Sequence, residues 1–236
     1  MDAPPYQPAL LAPRAVPPAH AFTWFEEALR MFKRAPLRWC LLGAITLVTQ
    51  LLLEWVPGIG VAASNVIVPV VECGMLLGAA AVDRGAALEM RFAAAAFLAP
   101  ASALAAIVLA ALLASGVESL AAYALFDVNL LADRSDVGLD PAALLTIGSA
   151  AILASLPLLF VPMAALFEHA AFRHAFATSA RAFSLNVAPL LLYGVLSLVL
   201  LVIGILTYGF GLVAVFPLVT AASYAAWKDI FAVPAA

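Results

Sequence analysis

Long uncharged stretches alternate with short charged segments along the chain of 236 residues. A helix needs about 20 mostly apolar residues to cross a hydrocarbon core roughly 30 Å thick. The stretch 39–82 would form one helix of about twice that length, but Pro-Gly-Ile-Gly at 57–60 divides it, as Tyr-Gly-Phe-Gly at 208–211 divides the stretch 182–227. The pattern predicts an all-α, polytopic membrane helical bundle of about six transmembrane helices in three hairpins. The predicted spans are about 39–56, 60–82, 94–116, 141–166, 187–207 and 211–228.

A short amphipathic segment ending in Ala-Pro precedes each hairpin. Its apolar positions recur at helical spacing: Phe22, Phe25, Leu29 and Phe32, then Leu88, Phe92 and Ala96, then Phe172, Phe176, Ala180 and Phe183. Such segments are typical of helices lying in the membrane interface, and Thr23 with Glu26 fits a capping box that starts the first one. Hairpins one and three also share a Gly-x-Gly turn, an internal proline and a closing aspartate, which indicates a degenerate internal repeat. Chance similarity in an Ala- and Leu-rich chain is the alternative.

The composition explains why these helices must face lipid. Hydrophobic residues make up 66% of the chain and charged residues 11%, with a mean hydropathy of +1.10, whereas a soluble domain carries about 25% charged residues. A net charge of −3 with scattered basic residues excludes a nucleic-acid-binding patch. Cys40 and Cys73 lie in apolar runs, without the spacing of a metal site or a disulfide framework.

The first twenty residues differ from the rest. Residues 1–20 hold six prolines, which predicts a disordered, polyproline-like arm that ends at His20. Since no apolar core follows a charged start, we expect no cleavable signal peptide. Residues 21–232 are predicted to form a single transmembrane domain.

The basic residues predict the orientation of the spans. Ten of the eleven Lys and Arg residues fall on one side of the predicted membrane, and only Arg134 falls on the other. Because basic residues concentrate in cytoplasmic segments, both termini are predicted to be cytoplasmic and the acidic loop 118–140 periplasmic.

Glu72 is the ionisable residue predicted to lie deepest in the membrane. Asn65, Pro69 and Glu72 stand at i, i+4 and i+7 on one face of a helix, and Pro69 deprives the Asn65 carbonyl of its helical hydrogen bond. An intramembrane carboxyl is typical of a proton or cation site. The alternative is a protonated carboxyl packed against a neighbouring helix. Gly74 and Gly78 form a GxxxG pair on the opposite face, suited to close helix packing.

Other candidate residues carry weaker signals. Glu54 lies near a turn and is predicted to reach the outer interface. A cluster where the fourth span ends could contact a lipid headgroup or simply be a solvated helix end: Glu168, His169, Arg173 and His174. Its histidine spacing fits no metal site. Because the sequence contains no Walker A, HExxH, G-x-S-x-G or dinucleotide motif, we predict no catalytic residue, cofactor, metal or enzymatic activity.

Several ordered motifs of aromatic, basic and Gly/Pro positions run through about residues 20–232. They are the string WFEEALRMFKRAPLRW at 24–39, the turn at 57–60, Pro69, Gly74, Arg84-Gly85, and WKDIF at 227–231. In these motifs the chain resembles a family of uncharacterised proteobacterial six-span inner-membrane proteins, which implies a bacterial inner-membrane location but no activity. A looser similarity is to the membrane domain of some glycerophosphoryl diester phosphodiesterases. That similarity implies a function related to lipids.

Two classes of function follow. The first is an integral inner-membrane protein with a structural, accessory or partner-binding role, in contact with the lipid bilayer and with another membrane protein or a second copy of itself. The second is a transporter or lipid-handling protein with a midplane polar pocket around Asn65 and Glu72. A cavity at Glu72 with polar groups from a second helix would favour the second class.

Overall fold

The computed structural model describes residues 11–130 and 141–233. These two ranges fold into helices and turns and contain no β-strand, which confirms the predicted all-α bundle. The helices are α1 (His20–Arg34), α2 (Pro36–Glu54), α3 (Gly60–Asp83), α4 (Phe92–Ala95), α5 (Ala101–Phe126), α6 (Pro141–Ser155), α7 (Val161–Phe167), α8 (Phe172–Leu185), α9 (Val187–Leu206) and α10 (Leu212–Ile230).

Five helices are long and apolar enough to cross a membrane, against six predicted spans. They are Pro36–Glu54, Gly60–Asp83, Ala101–Phe126, Val187–Leu206 and the unit formed by α6 and α7 together, Ala142–Phe167. The sixth predicted span forms α10, which has 19 residues but is not among those five. Its second half carries Ser223, Tyr224, Lys228 and Asp229, and that half is largely buried in the protein.

The predicted boundaries of the third span were wrong. Residues 94–98 form only a short helix and one 3₁₀ turn, and α5 begins at Ala101, after Pro100. Proline favours extended backbone in the residue before it, and Ala99 is extended with ψ 156°. The helix then continues past Glu118 to Phe126, so residues 118–126 of the predicted loop are helical. Residues 131–140 of that loop lie outside the described ranges.

The fourth predicted span is interrupted rather than continuous. A 3₁₀ turn at Leu156–Leu158 separates α6 from α7. Pro157 cannot donate a backbone hydrogen bond, and the Ser179 hydroxyl of α8 occupies the break: it donates to the Pro157 carbonyl at 2.8 Å and accepts from the Phe160 amide at 3.1 Å. Helix α8 therefore stabilises the kink.

The two predicted hairpin turns are present. Gly58 and Gly209 adopt positive φ angles of 79° and 82°, which a residue with a side chain rarely adopts. Pro69 and Pro217 lie inside the second helix of each hairpin.

Ion pairs mark one end of the bundle. The Lys228 ammonium of α10 lies 2.7 Å from the Asp83 carboxylate of α3, and the Tyr224 hydroxyl donates to the same carboxylate at 3.2 Å. Because α3 and α10 meet there at their carboxyl ends, the turns 55–59 and 207–211 belong to the opposite end. We call these the charged end and the turn end. The large buried aromatic residues gather in the charged half: Trp24, Trp39, Tyr193, Trp227 and Phe231.

The prediction of a disordered arm was wrong for residues 11–20. The Arg14 guanidinium binds the Asp229 carboxylate at 2.9 Å, and the Arg14 amide donates to the Ile230 carbonyl at 2.8 Å. The Asn186 side chain accepts from the Val16 amide and donates to the Arg14 carbonyl. His20 is also fixed, with Nδ1 lying 2.6 Å from Asp229 Oδ2. Proline content indicated an extended backbone here, but these tertiary contacts order it.

The phenylalanines predicted for the apolar faces of α1 and α8 are not the most deeply buried residues of these helices. Helix α1 begins at His20, so the predicted capping box at Thr23 was wrong; the Thr23 hydroxyl donates back to the His20 carbonyl instead. Its buried face is Ala21, Trp24, Ala28 and Met31, while Phe22 and Leu29 stay exposed. Helix α8 likewise buries Ala175, Thr178, Ser179 and Ala182. Each helix thus has one face on the bundle, and its phenylalanines are exposed or only half-buried; Phe25, for example, stacks on Tyr193. The second segment is helical only at 92–98, and Leu88 is buried in the preceding loop.

Candidate functional site

Glu72 faces a cavity of about 470 Å³ near the turn end. Four membrane-spanning helices and α10 contribute to its wall. The lining residues are Gln50, Glu54, Ser64, Asn65, Val68, Pro69, Glu72, Ala111, Ala114, Ser115, Glu118, Ala151, Ile152, Ser155 and Phe216. The predicted stripe of Asn65, Pro69 and Glu72 therefore meets a cavity that has polar groups from other helices.

The cavity exists because the facing positions carry small side chains. Helix α5 presents Ala111, Ala114 and Ser115 toward α3, and α6 presents Ala151 and Ser155. Side chains of this size leave unfilled space between helices whose other positions are large and aliphatic. Since polar groups line that space and it exceeds the volume of a water molecule many times, it is suited to hold water or a small solute.

Glu72 itself is half-buried, at the middle of α3. In the described part of the chain no side chain forms a hydrogen bond or ion pair with its carboxyl group. Pro69 cannot donate to the Asn65 carbonyl, so that carbonyl is left with unused hydrogen-bonding capacity on the same helix. These groups could together coordinate a ligand by oxygen atoms.

A second cavity of about 290 Å³ adjoins the first on the side of the charged end. The two share Pro69, Glu72, Ala111, Ala114, Ile152 and Ser155, so Glu72 lies where they meet. The walls of this inner cavity are mostly apolar. Besides the shared Glu72 and Ser155, its polar groups come from α9 and α10: Tyr193, Ser197, Thr220 and Ser223. The Tyr193 hydroxyl donates to the Val219 carbonyl at 3.2 Å, whereas the buried Ser197 hydroxyl has no partner of suitable geometry among the described residues.

The first cavity, which we call the outer cavity, is acidic. Glu54, Glu72 and Glu118 line it, and the described lining residues include no Lys, Arg or His. Glu54 was predicted to reach the outer interface; it is instead half-buried in the cavity wall, where it accepts a hydrogen bond from Gln50 at 3.1 Å. Glu118 was missed as a site residue because it was assigned to a loop. Its spacing from Ser115 and Ala111 along one helix face could have revealed it.

Gly74 and Gly78 do not contact another spanning helix at this point. A Cβ atom at Gly74 would collide with the Phe92 carbonyl oxygen, and one at Gly78 would lie 2.7 Å from Leu88 Cδ1. The glycine face of α3 therefore accommodates the connection before α5, on the far side from the cavities.

The predicted headgroup cluster is divided by the structure. Glu168 and His174 are half-buried, and Glu168 accepts a hydrogen bond from the Trp227 indole at 3.3 Å. Burial raises the pKa of Glu168 despite that hydrogen bond and the nearby His174. His169 and Arg173 are exposed. This cluster therefore does not present four side chains to one ligand.

Residues 11–130 and 141–233 contain no group of three or more His, Cys, Asp or Glu side chains arranged to hold a metal ion. The chain matches no protein-family model, no curated protein and no solved structure. The resemblance to six-span inner-membrane proteins accordingly stays a prediction, and the functional argument rests on the cavity.

Proposed function

We propose that the chain is a membrane transport protein for small cations, protons included, and that it binds them in the outer cavity at Glu72. The observation that carries this proposal is the convergence of Glu54, Glu72, Glu118 and Asn65 on one unfilled space inside the bundle. Ionisable residues within a membrane bundle are costly and are typical of ion or substrate pathways.

The charge of the lining favours a cation over a phospholipid. Glu72 has no hydrogen-bond or ion-pair partner among the described residues, and no described lining residue is basic, so a phosphate group beside it would gain no cationic contact and would be repelled by the ionised carboxyl group. We therefore infer solute transport rather than lipid handling. The adjoining inner cavity, with its apolar walls, is suited to a cation that carries a few methyl or methylene groups.

The placement of the two cavities supports a route of access. Glu54 and Glu118 lie toward the turn end, whereas the inner cavity ends among Leu76, Leu159 and Met163. Leu76 and Met163 are buried, at 5% and 1% exposed. This arrangement fits a protein that admits solute from the turn end while the charged end is closed.

We further propose a bacterial inner membrane as the location, with the charged end and both termini in the cytoplasm. The basic side chains of Arg14, Arg34, Arg38 and Lys228 all belong to the charged end, as expected for a cytoplasmic surface. The turn end, including the start of the acidic loop, then faces the periplasm.

A structural, accessory or partner-binding role is the second candidate. It is favoured by the large aromatic side chains exposed at the turn end, namely Trp55, Tyr208 and Phe210, each more than 80% exposed. These side chains could pack against a second membrane protein as well as lie in the lipid interface.

Proteoliposomes distinguish the two candidates. We expect uptake of radiolabelled tetramethylammonium, or acidification of the lumen, with the wild-type protein and its loss in Glu72→Gln. Glu26→Gln is the matched control, because Glu26 is exposed on α1, away from both cavities, and it should transport normally. A wild-type protein that incorporates correctly but moves neither cation would refute the proposal. Scrambling of a fluorescent phospholipid without cation uptake would replace it by lipid handling.

A further inference from the structure

A cleft of about 620 Å³ opens at the charged end, separate from the Glu72 cavities. One wall is the junction of α1 and α2, residues 34–38, and the other is the connection that follows α3, with Val82 and residues 85–88. The Ala35-Pro36 junction makes the first wall concave, because the chain turns there from α1 into α2.

Two arginines are held in this cleft by backbone carbonyls. Arg34 Nη1 donates to the Val82 carbonyl at 2.8 Å, and Arg38 Nη1 donates to the Leu88 carbonyl at 2.7 Å. A guanidinium group has five N–H donors, so each arginine retains several for another acceptor. Within the described ranges neither arginine pairs with a carboxylate.

The charge of the cleft is positive. Its described lining contains Arg34 and Arg38 and no acidic residue. Asp83, next to Val82 in the chain, is held by Lys228 and Tyr224. Two guanidinium groups that line one cleft without an acidic partner are suited to a phosphate, which accepts paired hydrogen bonds from arginine.

An exposed apolar stripe runs down α2 from the same cleft. It begins at Leu37, which lines the cleft and is 72% exposed, and continues at helical spacing through Leu41, Ile45, Val48 and Leu52. Helix α2 is one of the five helices able to cross a membrane. A ligand that joins a phosphate to aliphatic chains would therefore meet arginine at its head and this stripe along its tails.

We propose that this cleft binds the phosphate headgroup of an anionic phospholipid, with its acyl chains along the Leu37–Leu52 stripe of α2. The site differs from the predicted cluster at 168–174, which includes the half-buried carboxyl group of Glu168. It is independent of cation binding at Glu72. Its role is to fix the α1–α2 junction in the cytoplasmic interface.

Titration with phosphatidylglycerol, followed by native mass spectrometry of the purified protein in detergent, tests the proposal. We expect the double variant Arg34→Gln/Arg38→Gln to bind this lipid at least about tenfold more weakly, since two charge-assisted contacts are lost. The matched control is Arg30→Gln/Arg181→Gln, which removes the same charge from exposed positions on α1 and α8, outside both the cleft and the cluster at 168–174, and should bind normally.

A second variant distinguishes the loss of the lipid site from misfolding of the double variant. Ala87→Glu places a carboxyl group in the cleft lining at an exposed position and leaves both arginine–carbonyl hydrogen bonds in place, so it should also weaken phosphatidylglycerol binding. Equal losses in both double variants would indicate general surface charge and overturn the proposal. Displacement of the lipid by an equal concentration of inorganic phosphate would also overturn it, because the cleft would then be a site for the free anion.

Discussion

The two proline-containing helices, α3 and α10, occupy equivalent positions in hairpins one and three but have different surroundings. In α10, Pro217 deprives the Val213 carbonyl of its helical partner, and Gly43 of α2 covers that carbonyl so closely that a Cβ atom would collide with it. In α3, Pro69 does the same to Asn65, but the neighbouring space is a cavity. The comparison shows that a proline alone does not create a site; the facing helix must also stay far enough away to leave space, as it does at Pro69 and does not at Pro217.

The positions three residues after each proline extend the contrast. They are Glu72 in α3 and Thr220 in α10, and both line the inner cavity. The repeat-like pattern of the two hairpins thus brings a carboxyl group and a hydroxyl group to the same space from two directions. Of these two residues, only Glu72 can carry a negative charge.

The largest expected effect comes from adding a side chain at Gly43, which packs closely against α10 beside Pro217. Gly43→Leu would push a side chain into the backbone of α10, and we expect it to destabilise the protein by about 3 kcal/mol or to prevent folding. Thermal unfolding in detergent measures this. Gly116→Leu is the control, because Gly116 of α5 has no neighbouring atom within 4 Å of an added Cβ, and it should unfold like the wild type.

Filling the space beside Pro69 should instead abolish function while the protein stays folded. Ala114→Leu places four-carbon bulk in both cavities, and we expect cation uptake to fall at least about tenfold with a change in stability of about 1–2 kcal/mol. Ala105→Leu makes the same change on the exposed side of α5 and should leave uptake intact. Normal uptake in Ala114→Leu would show that the cavity is not the transport site.

A smaller effect is expected at the carboxylate that closes hairpin three. Asp229 is held by His20, Trp24 and Arg14, so Asp229→Asn should loosen residues 11–20 by about 1–2 kcal/mol. Faster trypsin cleavage after Arg14 reports this loosening. Asp127→Asn, at an exposed helix end far from this contact, is the control and should be cleaved at the wild-type rate.

The same contact has a predictable dependence on pH. Partial burial would raise the pKa of Asp229, but the hydrogen bonds from His20, Trp24 and Arg14 outweigh it and hold the pKa below the usual 3.8. A lowered carboxyl pKa contributes stability above the unfolded value, and that contribution is lost as the pH falls through the folded value. Protection of Arg14 that already disappears in the wild type as the pH falls, while the pH is still well above 3.8, would contradict this assignment.

The smallest effect is expected at Thr220. Thr220→Val removes one hydroxyl group from the inner cavity at nearly constant volume, and the loss of one neutral hydrogen bond to solute or water should lower uptake about threefold. Comparing the uptake rates of Thr220→Val and Glu72→Gln measures how much the hydroxyl group of α10 and the carboxyl group of α3 each contribute. Equal losses in both variants would mean that the carboxyl charge has no special role.

Much of the bundle could be predicted from local patterns. Uncharged stretches located the spanning helices, and the glycines at 58 and 209 located both turns, since positive φ angles favour glycine. The third span was misplaced because the uncharged stretch 93–117 was taken as the helix, although Pro100 interrupts it and Glu118 is tolerated within α5. Residues 11–20 were taken as disordered because their order depends on Asp229 and Asn186, far along the chain.

The candidate site was also predicted only in part, because local patterns reveal single helix faces but not which helices meet. The stripe of Asn65, Pro69 and Glu72 follows from helical spacing within one segment. That it faces a cavity depends on Ala111, Ala114 and Ser155, small residues of other helices whose register against α3 is set by tertiary packing. The acidic neighbours Glu54 and Glu118 belong to the ends of separate helices, and no local pattern could bring them together.

Carbodiimide labelling in lipid nanodiscs tests the cation site at Glu72 most directly. Dicyclohexylcarbodiimide reacts with protonated carboxyl groups in apolar surroundings, and mass spectrometry identifies the modified residue. The account predicts that Glu72 is modified and that tetramethylammonium slows its modification about tenfold or more, while any labelling of Glu26 is unchanged. A Glu72 that is never modified, or that is modified equally fast with and without the cation, would contradict a cation-binding cavity at this carboxyl group.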